Sequence, residues 1–222
     1  MNLTLFDLDG TLLPIDSDHA FGEFLITLGW ADATQHRQRN DGFYADYLAG
    51  CLDMNAYVDF ATLAWRERSP QDMQLALTRF MAEVMRPQLH PRALALVKQH
   101  QADGDLVAVV TATNDVITRP IADAFGIDTL IGTRLHRDAQ GQVTGTVLGT
   151  PAFREGKIAR VDEWLAAQGL SLASFERCTF YSDSTNDLPL LGHVSHPVAT
   201  NPGPALERLA LERGWPVLKL FT

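Results

Sequence analysis

The stretch FDLDGT at residues 6–11 decides how this sequence folds. It continues the apolar run LTLF at residues 3–6, a pattern that predicts a short buried strand ending in a polar loop. Asp7 and Asp9 are two residues apart, and carboxylates so close to a core need a cation or strong hydrogen-bond donors. An Asx-type turn or a helix cap is the structural alternative. The pattern favours a charged site at the end of a buried strand.

The composition limits the classes of protein to which the chain can belong. Its 222 residues, 46% of them hydrophobic, suffice for one core domain with a small appendage. The net charge is −9, from 27 acidic and 18 scattered basic residues, which argues against nucleic acid and against an anionic membrane surface as partners. An acidic protein can still bind a phosphate ester when a divalent cation lies between them.

Several features favour a cytoplasmic location. No apolar run approaches the roughly 20 residues of a membrane-spanning helix, and Met1–Gly10 lacks the basic start of a signal peptide. Cys51 and Cys178 are far apart and lie among apolar or aromatic neighbours, so both are predicted to be buried free thiols. We therefore expect a protein of a reducing compartment; its oligomeric state is left open.

Strand-like runs alternate with helical spacing, which predicts parallel β-α-β units in an α/β fold. The expected strands are 3–6, 106–110, 129–133, 179–182, 198–199 and 216–220, with a hairpin from 134–136 and 143–147. The expected helices between them are 91–101, 117–125 and 155–168. Residues 17–85 show helical spacing without a clear strand, so we predict an all-helical cap domain at 15–86, inserted into a core domain formed by 1–14 and 87–222.

Three of the predicted strands are each followed by polar side chains. Because chemistry in parallel sheets gathers at the carboxyl ends of the strands, these side chains are expected to meet at one edge of the sheet. The polar residues are Asp7 and Asp9, Thr111 and Thr113, and Asp183 and Asp187.

Each later motif has a functional and a structural interpretation. The oxygen donors of DSTND at 183–187 suit Mg²⁺, but Asp183 or Ser184 could also cap the following helix, and the two roles are compatible. Thr111 could bind phosphate beside the next helix start, or simply cap that helix. Lys157 could meet a phosphate, or be a solvated lysine on a helix face.

The order of these motifs resembles that of the haloacid dehalogenase superfamily of phosphohydrolases. The resemblance runs along the whole chain and is strongest in FDLDGT, in VVTAT at 109–113 and in YSDSTNDLPLL at 181–191. It implies a Rossmann-like three-layer parallel sheet core with an inserted helical C1 cap, as in the phosphoserine-phosphatase-like branch, subclass IB. The details DSDH at 16–19, YADY at 44–47 and GWP at 214–216 resemble a bacterial subgroup that includes small histidinol-phosphate phosphatases.

The chain differs from phosphoserine phosphatases in two motifs. Those enzymes usually carry a serine and two glycines where this chain has Thr111-Ala112-Thr113, and a glutamate in the first cap helix where it has Asp16. These differences make phosphoserine a less favoured substrate.

The resemblance implies a role for each motif residue. Asp7 would be the nucleophile that forms an aspartyl-phosphate, and Asp9 the general acid and base. One Mg²⁺ would be held by Asp7, the backbone carbonyl of Asp9 and Asp183, with Asp187 supporting the site from behind. The expected phosphate- and substrate-binding residues are Thr111, Ala112, Lys157 and Asn186. The candidate cap residues that select the substrate are Asp16, Asp18, His19, Glu23, Tyr44 and Tyr47.

The expected function is Mg²⁺-dependent hydrolysis of a small phosphorylated metabolite, with histidinol phosphate ahead of phosphoserine. A phosphotransferase or mutase that uses the same aspartyl-phosphate remains an alternative. A non-enzymatic phospho-accepting signalling domain is a second alternative, but such domains are about half this length and lack a long helical insert. Asp9 argues against a dehalogenase, because phosphatases are the members that keep this acid.

Overall fold

A computed structural model describes residues 1–221, so Thr222, the last residue of the predicted core domain, lies outside the described residues. A six-stranded parallel sheet forms the core, in the order β3-β2-β1-β6-β7-β8, and β4 pairs with β5 in an antiparallel hairpin. The strands are β1 Leu3–Phe6, β2 Leu106–Asn114, β3 Thr129–Thr133, β4 Leu135–Arg137, β5 Val143–Val147, β6 Cys178–Ser182, β7 His196–Thr200 and β8 Val217–Leu218.

Helices cover both faces of this sheet and make up the insert between β1 and β2. The helices are α1 Ser17–Thr27, α2 Ala33–Leu48, α3 Met54–Leu63, α4 Pro70–Phe80, α5 Pro91–Ala102, α6 Asp115–Ala124, α7 Glu155–Ala166, α8 Leu188–Leu191 and α9 Pro204–Arg213. The predicted Rossmann-like α/β fold is confirmed.

The core consists of two apolar layers, one on each side of the sheet. Alternate residues of a strand point to opposite faces, so Phe6 of β1 packs with α5 and α6 while Leu5 packs with α7. Both faces of β1 are therefore buried, which explains why its residues form an unbroken apolar run. The result is the three-layer arrangement expected from the sequence.

The register of the central strands brings their carboxyl ends to the same level. Phe6 of β1 is paired with Val109 of β2 and with Tyr181 of β6. The chain leaves the sheet after Phe6 in β1, after Ser182 in β6 and after Asn114 in β2, at one edge and beside the point where the strand order reverses. The polar residues at the ends of β1, β2 and β6 therefore lie close together and form the candidate site.

The segment predicted as a cap is helical. Helices α1 to α4 are followed by a π-helical turn at Met81–Met85 and a 3-10 turn at Arg86–Gln88. Within the described chain, residues 15–86 contain no named strand. Helix α3 packs against β5, so the hairpin touches the insert as well as the core.

Two local predictions need correction. Strand β2 continues to Asn114, beyond the predicted end at residue 110, and its pairing with β3 shifts register between Val110 and Asn114. Such irregularities often aim side chains at a site. The prediction that Cys51 is buried is wrong: it lies in the loop after α2 and is exposed, whereas Cys178 is a buried free thiol.

Among the helices within residues 1–221, none combines the length and the apolar character that crossing a bilayer requires.

Candidate active site

A buried ion-pair chain joins three separate segments at the carboxyl edge of the sheet. The Lys157 ammonium donates to Asp7 Oδ1 at 2.8 Å and to Asp187 Oδ2 at 2.7 Å. The Ser182 hydroxyl donates to the same Asp187 oxygen at 2.7 Å. Because Lys157 is only 2% exposed, its interpretation as a solvated lysine is wrong.

The buried environment shifts the pKa values of the Asp7 and Lys157 side chains. Burial raises the pKa of Asp7 to about 6, although the charge of Lys157 opposes that rise. Burial alone would lower the pKa of Lys157, but the charges of Asp187 and Asp7 outweigh it and raise that pKa. The lysine therefore stays charged and places a positive charge beside Asp7.

Asp183 approaches the loop after β1 through Thr11 and Gly10. The Thr11 hydroxyl donates to Asp183 Oδ1 at 3.0 Å and accepts from the Asp183 backbone N–H at 3.0 Å. A β-carbon on Gly10, whose φ is +74°, would lie 2.3 Å from Asp183 Oδ2, so this position requires glycine. Ser184 caps the following turn by accepting from Asn186 N–H at 3.1 Å, which leaves the carboxylate of Asp183 for another role.

The donor set fits a hard divalent cation. Burial, together with the charges of Asp7 and Asp187, raises the pKa of Asp183 well above its usual range, so ionised Asp183 lacks a compensating positive charge. Within residues 1–221, no group of three or more Asp, Glu, His or Cys side chains converges at metal-binding spacing. The carboxylates of Asp7 and Asp183 lie near each other at this edge, and carboxylate oxygens are donors that suit Mg²⁺.

The carboxylate of Asp9 is fixed by two donors from different elements. The Ser17 backbone N–H, at the start of α1, donates to Asp9 Oδ1 at 2.8 Å, and the Thr113 hydroxyl donates to Oδ2 at 2.9 Å. Burial, followed by the charge of Asp16, raises the pKa of Asp9 well above its usual range. A carboxylic acid held in this way can donate a proton near neutral pH.

The end of β2 forms one wall of the site. Thr111, Ala112 and Thr113 line a cavity together with Asp7 and Asp9. Asn114 caps α6 by accepting from Ile117 N–H at 3.3 Å, so the interpretation of Thr111 as that cap is wrong. The Thr111 hydroxyl instead accepts from Thr113 N–H at 3.2 Å.

The cavity lies between the core edge and the helical insert and has a volume of about 50 Å³. Five of the six candidate cap residues line it: Asp16, Asp18, His19, Tyr44 and Tyr47. Glu23 does not line it, because its carboxylate binds the guanidinium of Arg37 at 2.7 Å on the outer surface of the insert. The amide of Asn186 donates to the backbone carbonyl of Tyr47 at 2.8 Å, which joins the insert to the core.

The structure adds a residue that the sequence analysis did not single out. The hydroxyl of half-buried Tyr57 donates to Asp18 Oδ2 at 2.8 Å at the insert side of the cavity. Burial and the neighbouring charge of Asp16 raise the pKa of Asp18 to about 7, and the Tyr57 hydrogen bond limits that rise. In the sequence, Tyr57 only continues the helical spacing of α3, so no local pattern distinguishes it from a core aromatic.

This fold and this site define a class of enzyme. Residues 4–192 match the haloacid dehalogenase-like hydrolase family, and the chain belongs to that family. It is a hydrolase of the phosphatase class.

Two relatives are similar in sequence to this chain over nearly all of its length. It is 45% identical to the histidinol-phosphatase of Neisseria meningitidis serogroup C (strain 8013), over 98% of both chains. It is 30% identical to an inhibition of morphological differentiation protein of Streptomyces azureus, over 96% of this chain and 76% of that one.

Solved structures share the fold. A crystal structure of a protein of unknown function from Bordetella pertussis Tohama I matches with a TM-score of 0.93 and 46% identity, over 99% of both chains. A substrate-bound phosphoserine phosphatase complex matches with a TM-score of 0.67 and 18% identity, over 97% of this chain and 91% of that one. At that identity the second likeness concerns the fold alone.

Proposed function

We propose that this phosphatase hydrolyses a small phosphomonoester in two steps, through an aspartyl-phosphate formed on Asp7. The observation that carries the proposal is the pairing of two differently held aspartates. Asp7 lies against the buried Lys157 ammonium, while Asp9 is fixed by Ser17 and Thr113. One carboxylate can therefore act as nucleophile while its neighbour handles protons.

In the first step, the Asp7 carboxylate attacks phosphorus and the leaving alkoxide departs. Lys157 offsets the negative charge that gathers as the phosphoryl group approaches Asp7. Thr111 and the Ala112 backbone would donate to the phosphoryl oxygens from the end of β2. Asp9, with its raised pKa, protonates the leaving oxygen.

In the second step, Asp9 removes a proton from the water that attacks the aspartyl-phosphate. This reaction regenerates the Asp7 carboxylate and releases inorganic phosphate. Asp187 has a supporting role, because it holds Lys157 at 2.7 Å and is itself held by Ser182. The helical segment 15–86 would act as the cap that excludes bulk water during both steps.

Asp7, the Asp9 carbonyl and Asp183 would hold the Mg²⁺ ion. When bound, the ion reduces the repulsion between the Asp7 carboxylate and the incoming phosphate dianion. The close approach of Asp183 to Gly10 supports this assignment, because it brings a second carboxylate to the loop that carries Asp7 and Asp9.

For the substrate, we propose an amino-alcohol phosphate, with histidinol phosphate ahead of phosphoserine. Asp16 and Asp18 line the insert side of the cavity and offer negative charge to an ammonium or imidazolium group. The extra carboxylate of phosphoserine would instead meet these acids. The name of the meningococcal relative agrees with this order.

The test is a screen for phosphate release over small phosphomonoesters, including histidinol phosphate, phosphoserine and a neutral sugar phosphate. We expect release with water as the only acceptor, loss of activity in EDTA and recovery with Mg²⁺. Activity that resists chelation would refute the metal assignment. Phosphate that appears only on a second added acceptor would indicate a phosphotransferase instead.

A further inference from the structure

Two side chains from loops of the α/β core donate hydrogen bonds to the backbone at the carboxyl-terminal end of α2. The guanidinium of Arg154 donates through Nη1 to the backbone carbonyl of Gly50, and the Asn186 amide donates to the carbonyl of Tyr47 at 2.8 Å. Arg154 precedes α7, which carries Lys157, and Asn186 precedes Asp187. The two donors therefore belong to the same two loops that hold the buried ion-pair chain.

The segment held by Arg154 and Asn186 is closely packed at Gly50, whose φ of +72° also favours glycine. A β-carbon there would lie 3.2 Å from Arg154 Nη1 and 3.3 Å from Asn186 Oδ1. The ring of Tyr47, which lines the cavity, lies 5.8 Å from that of Phe153. The end of α2 thus meets the core through hydrogen bonds from Arg154 and Asn186, an aromatic contact with Phe153 and a hydrogen bond between the Tyr47 and Ser184 side chains.

Arg154 makes its contact from an unfavourable backbone conformation. Its φ is 52° and its ψ is −123°, a combination that glycine usually provides at the first corner of a type II′ turn. Within residues 1–221, the only other non-glycine residue at positive φ is Asn201, and asparagine tolerates that region. An arginine in this conformation costs free energy, and strain of this kind concentrates at functional positions.

We propose that Arg154 is a positioning residue that, together with Asn186, fastens the end of α2 onto the catalytic loops and so holds Tyr47 over the cavity. The site of the chemistry is then coupled to the insert by the two loops that position Lys157 and Asp187. The expected change in kcat/KM rests on the proposed phosphatase function. The expected change in the mobility of the α2 end does not.

Arg154→Gly separates this role from a general contribution to stability. Glycine removes the guanidinium and at the same time relieves the positive φ, so Tm should stay the same or rise. If the proposal is right, kcat/KM for histidinol phosphate falls about tenfold, the loss expected for one charge-assisted hydrogen bond. Arg154→Asn serves as a second variant, because asparagine also tolerates positive φ.

Cys51 lies next to Gly50, so a label on it reports directly on the mobility of the α2 end. It is exposed while Cys178 is buried, so a fluorophore can be attached to Cys51 selectively. In Arg154→Gly, collisional quenching of this label by acrylamide should increase about twofold, because the end of α2 is released. Lys98→Gln, which removes an exposed cation from α5, is the matched control and should change neither readout.

The outcomes are distinguishable. Unchanged quenching together with unchanged kinetics would overturn the proposal. Lower activity with unchanged quenching would also overturn it, because Arg154 would then act on the substrate directly. If no phosphomonoester is hydrolysed, the proposed function fails, but increased quenching in both variants would still support the fastening role.

Discussion

The two walls of the cavity differ in how the negative charge of their carboxylates is compensated. On the core wall, Asp7 is paired with the ammonium of Lys157, which lies behind the wall and is shared with Asp187. On the insert wall, the Asp16 carboxylate accepts from the His19 backbone N–H at 2.8 Å, and Asp18 accepts from the neutral hydroxyl of Tyr57. Burial raises the pKa of both insert carboxylates, which shows that their charge is poorly compensated.

This difference indicates that the two walls have different roles. The core wall would be preorganised for phosphoryl transfer, because a fixed positive charge already lies next to Asp7, the proposed nucleophile. The insert wall would gain most from a substrate that brings its own positive charge. Substitutions in the core wall should therefore reduce turnover of every ester, whereas substitutions in the insert wall should change the preference among esters.

The largest effect is expected for Asp7→Asn. An amide cannot attack phosphorus, so turnover of all esters should fall by more than about 10⁴-fold. The fold should persist, because Lys157 keeps its contact with Asp187 and the substitution removes a buried charge. Circular dichroism and thermal unfolding serve as the control, and residual activity above about 1% of the parent would argue against Asp7 as nucleophile.

Asp9→Asn should have the next largest effect. The amide can still accept from Ser17 N–H and can contact the Thr113 hydroxyl, but it cannot transfer the proton. We expect kcat to fall about 10²- to 10⁴-fold, the usual contribution of general acid–base catalysis. Single-turnover kinetics should show that both formation and breakdown of the phosphoenzyme are slower. A variant within about threefold of the parent contradicts the assignment.

Sequence reasoning succeeds on the core wall for a physical reason. Asp7 and Asp187 lie far apart in the chain, but each follows a strand, and the carboxyl ends of parallel strands share one edge. Lys157 lies on α7, and only the family resemblance indicated its place in the site. An apolar run that ends in a polar cluster therefore indicates both the strand and the side of the sheet on which the cluster lies. The tight approach of Gly10 to Asp183 could not be predicted, because it depends on how two loops pack.

The insert wall is less predictable because helix packing determines it. Glu23 follows Asp16 by seven residues, so it lies on nearly the same face of the helix, but about 10 Å further along the axis. That displacement carries Glu23 to the surface, where Arg37 binds it. Tyr57 reaches Asp18 from another helix, and exposed Cys51 lies in a loop whose apolar neighbours suggest burial. None of these placements can be predicted from the spacing of residues along the chain.

Asp18→Asn tests the selectivity of the insert wall. The amide preserves the hydrogen bond with Tyr57 but removes the negative charge. For histidinol phosphate, kcat/KM should fall at least about tenfold, mainly through KM, because one charge-assisted contact is lost. For a neutral sugar phosphate it should change less than about threefold. Asp46→Asn, an exposed acid on α2, is the matched control, and equal losses for both esters would contradict the division between the walls.

The smallest effect is the dependence of substrate preference on pH. The pKa of Asp18 is raised to about 7, so the carboxyl is mostly neutral at pH 6 and mostly ionised at pH 8. The ionised fraction increases up to about tenfold over this range, and the preference for a cationic ester should increase with it. The measurement is the ratio of kcat/KM for an amino-alcohol phosphate without an imidazole, whose ammonium stays charged over this range, to that for a neutral sugar phosphate. Because both esters carry the same phosphate group, its own titration largely cancels in the ratio.

Two variants identify the group that titrates. In Asp18→Asn the ratio should stay flat between pH 6 and 8, because the position no longer ionises. In Tyr57→Phe the rise should move to higher pH, since the lost hydrogen bond favours the ionised carboxylate and its removal raises the pKa of Asp18 further. A ratio that still rises in Asp18→Asn would assign the titration to another acid of the insert wall, with Asp16, whose pKa burial also raises, as the next residue to substitute.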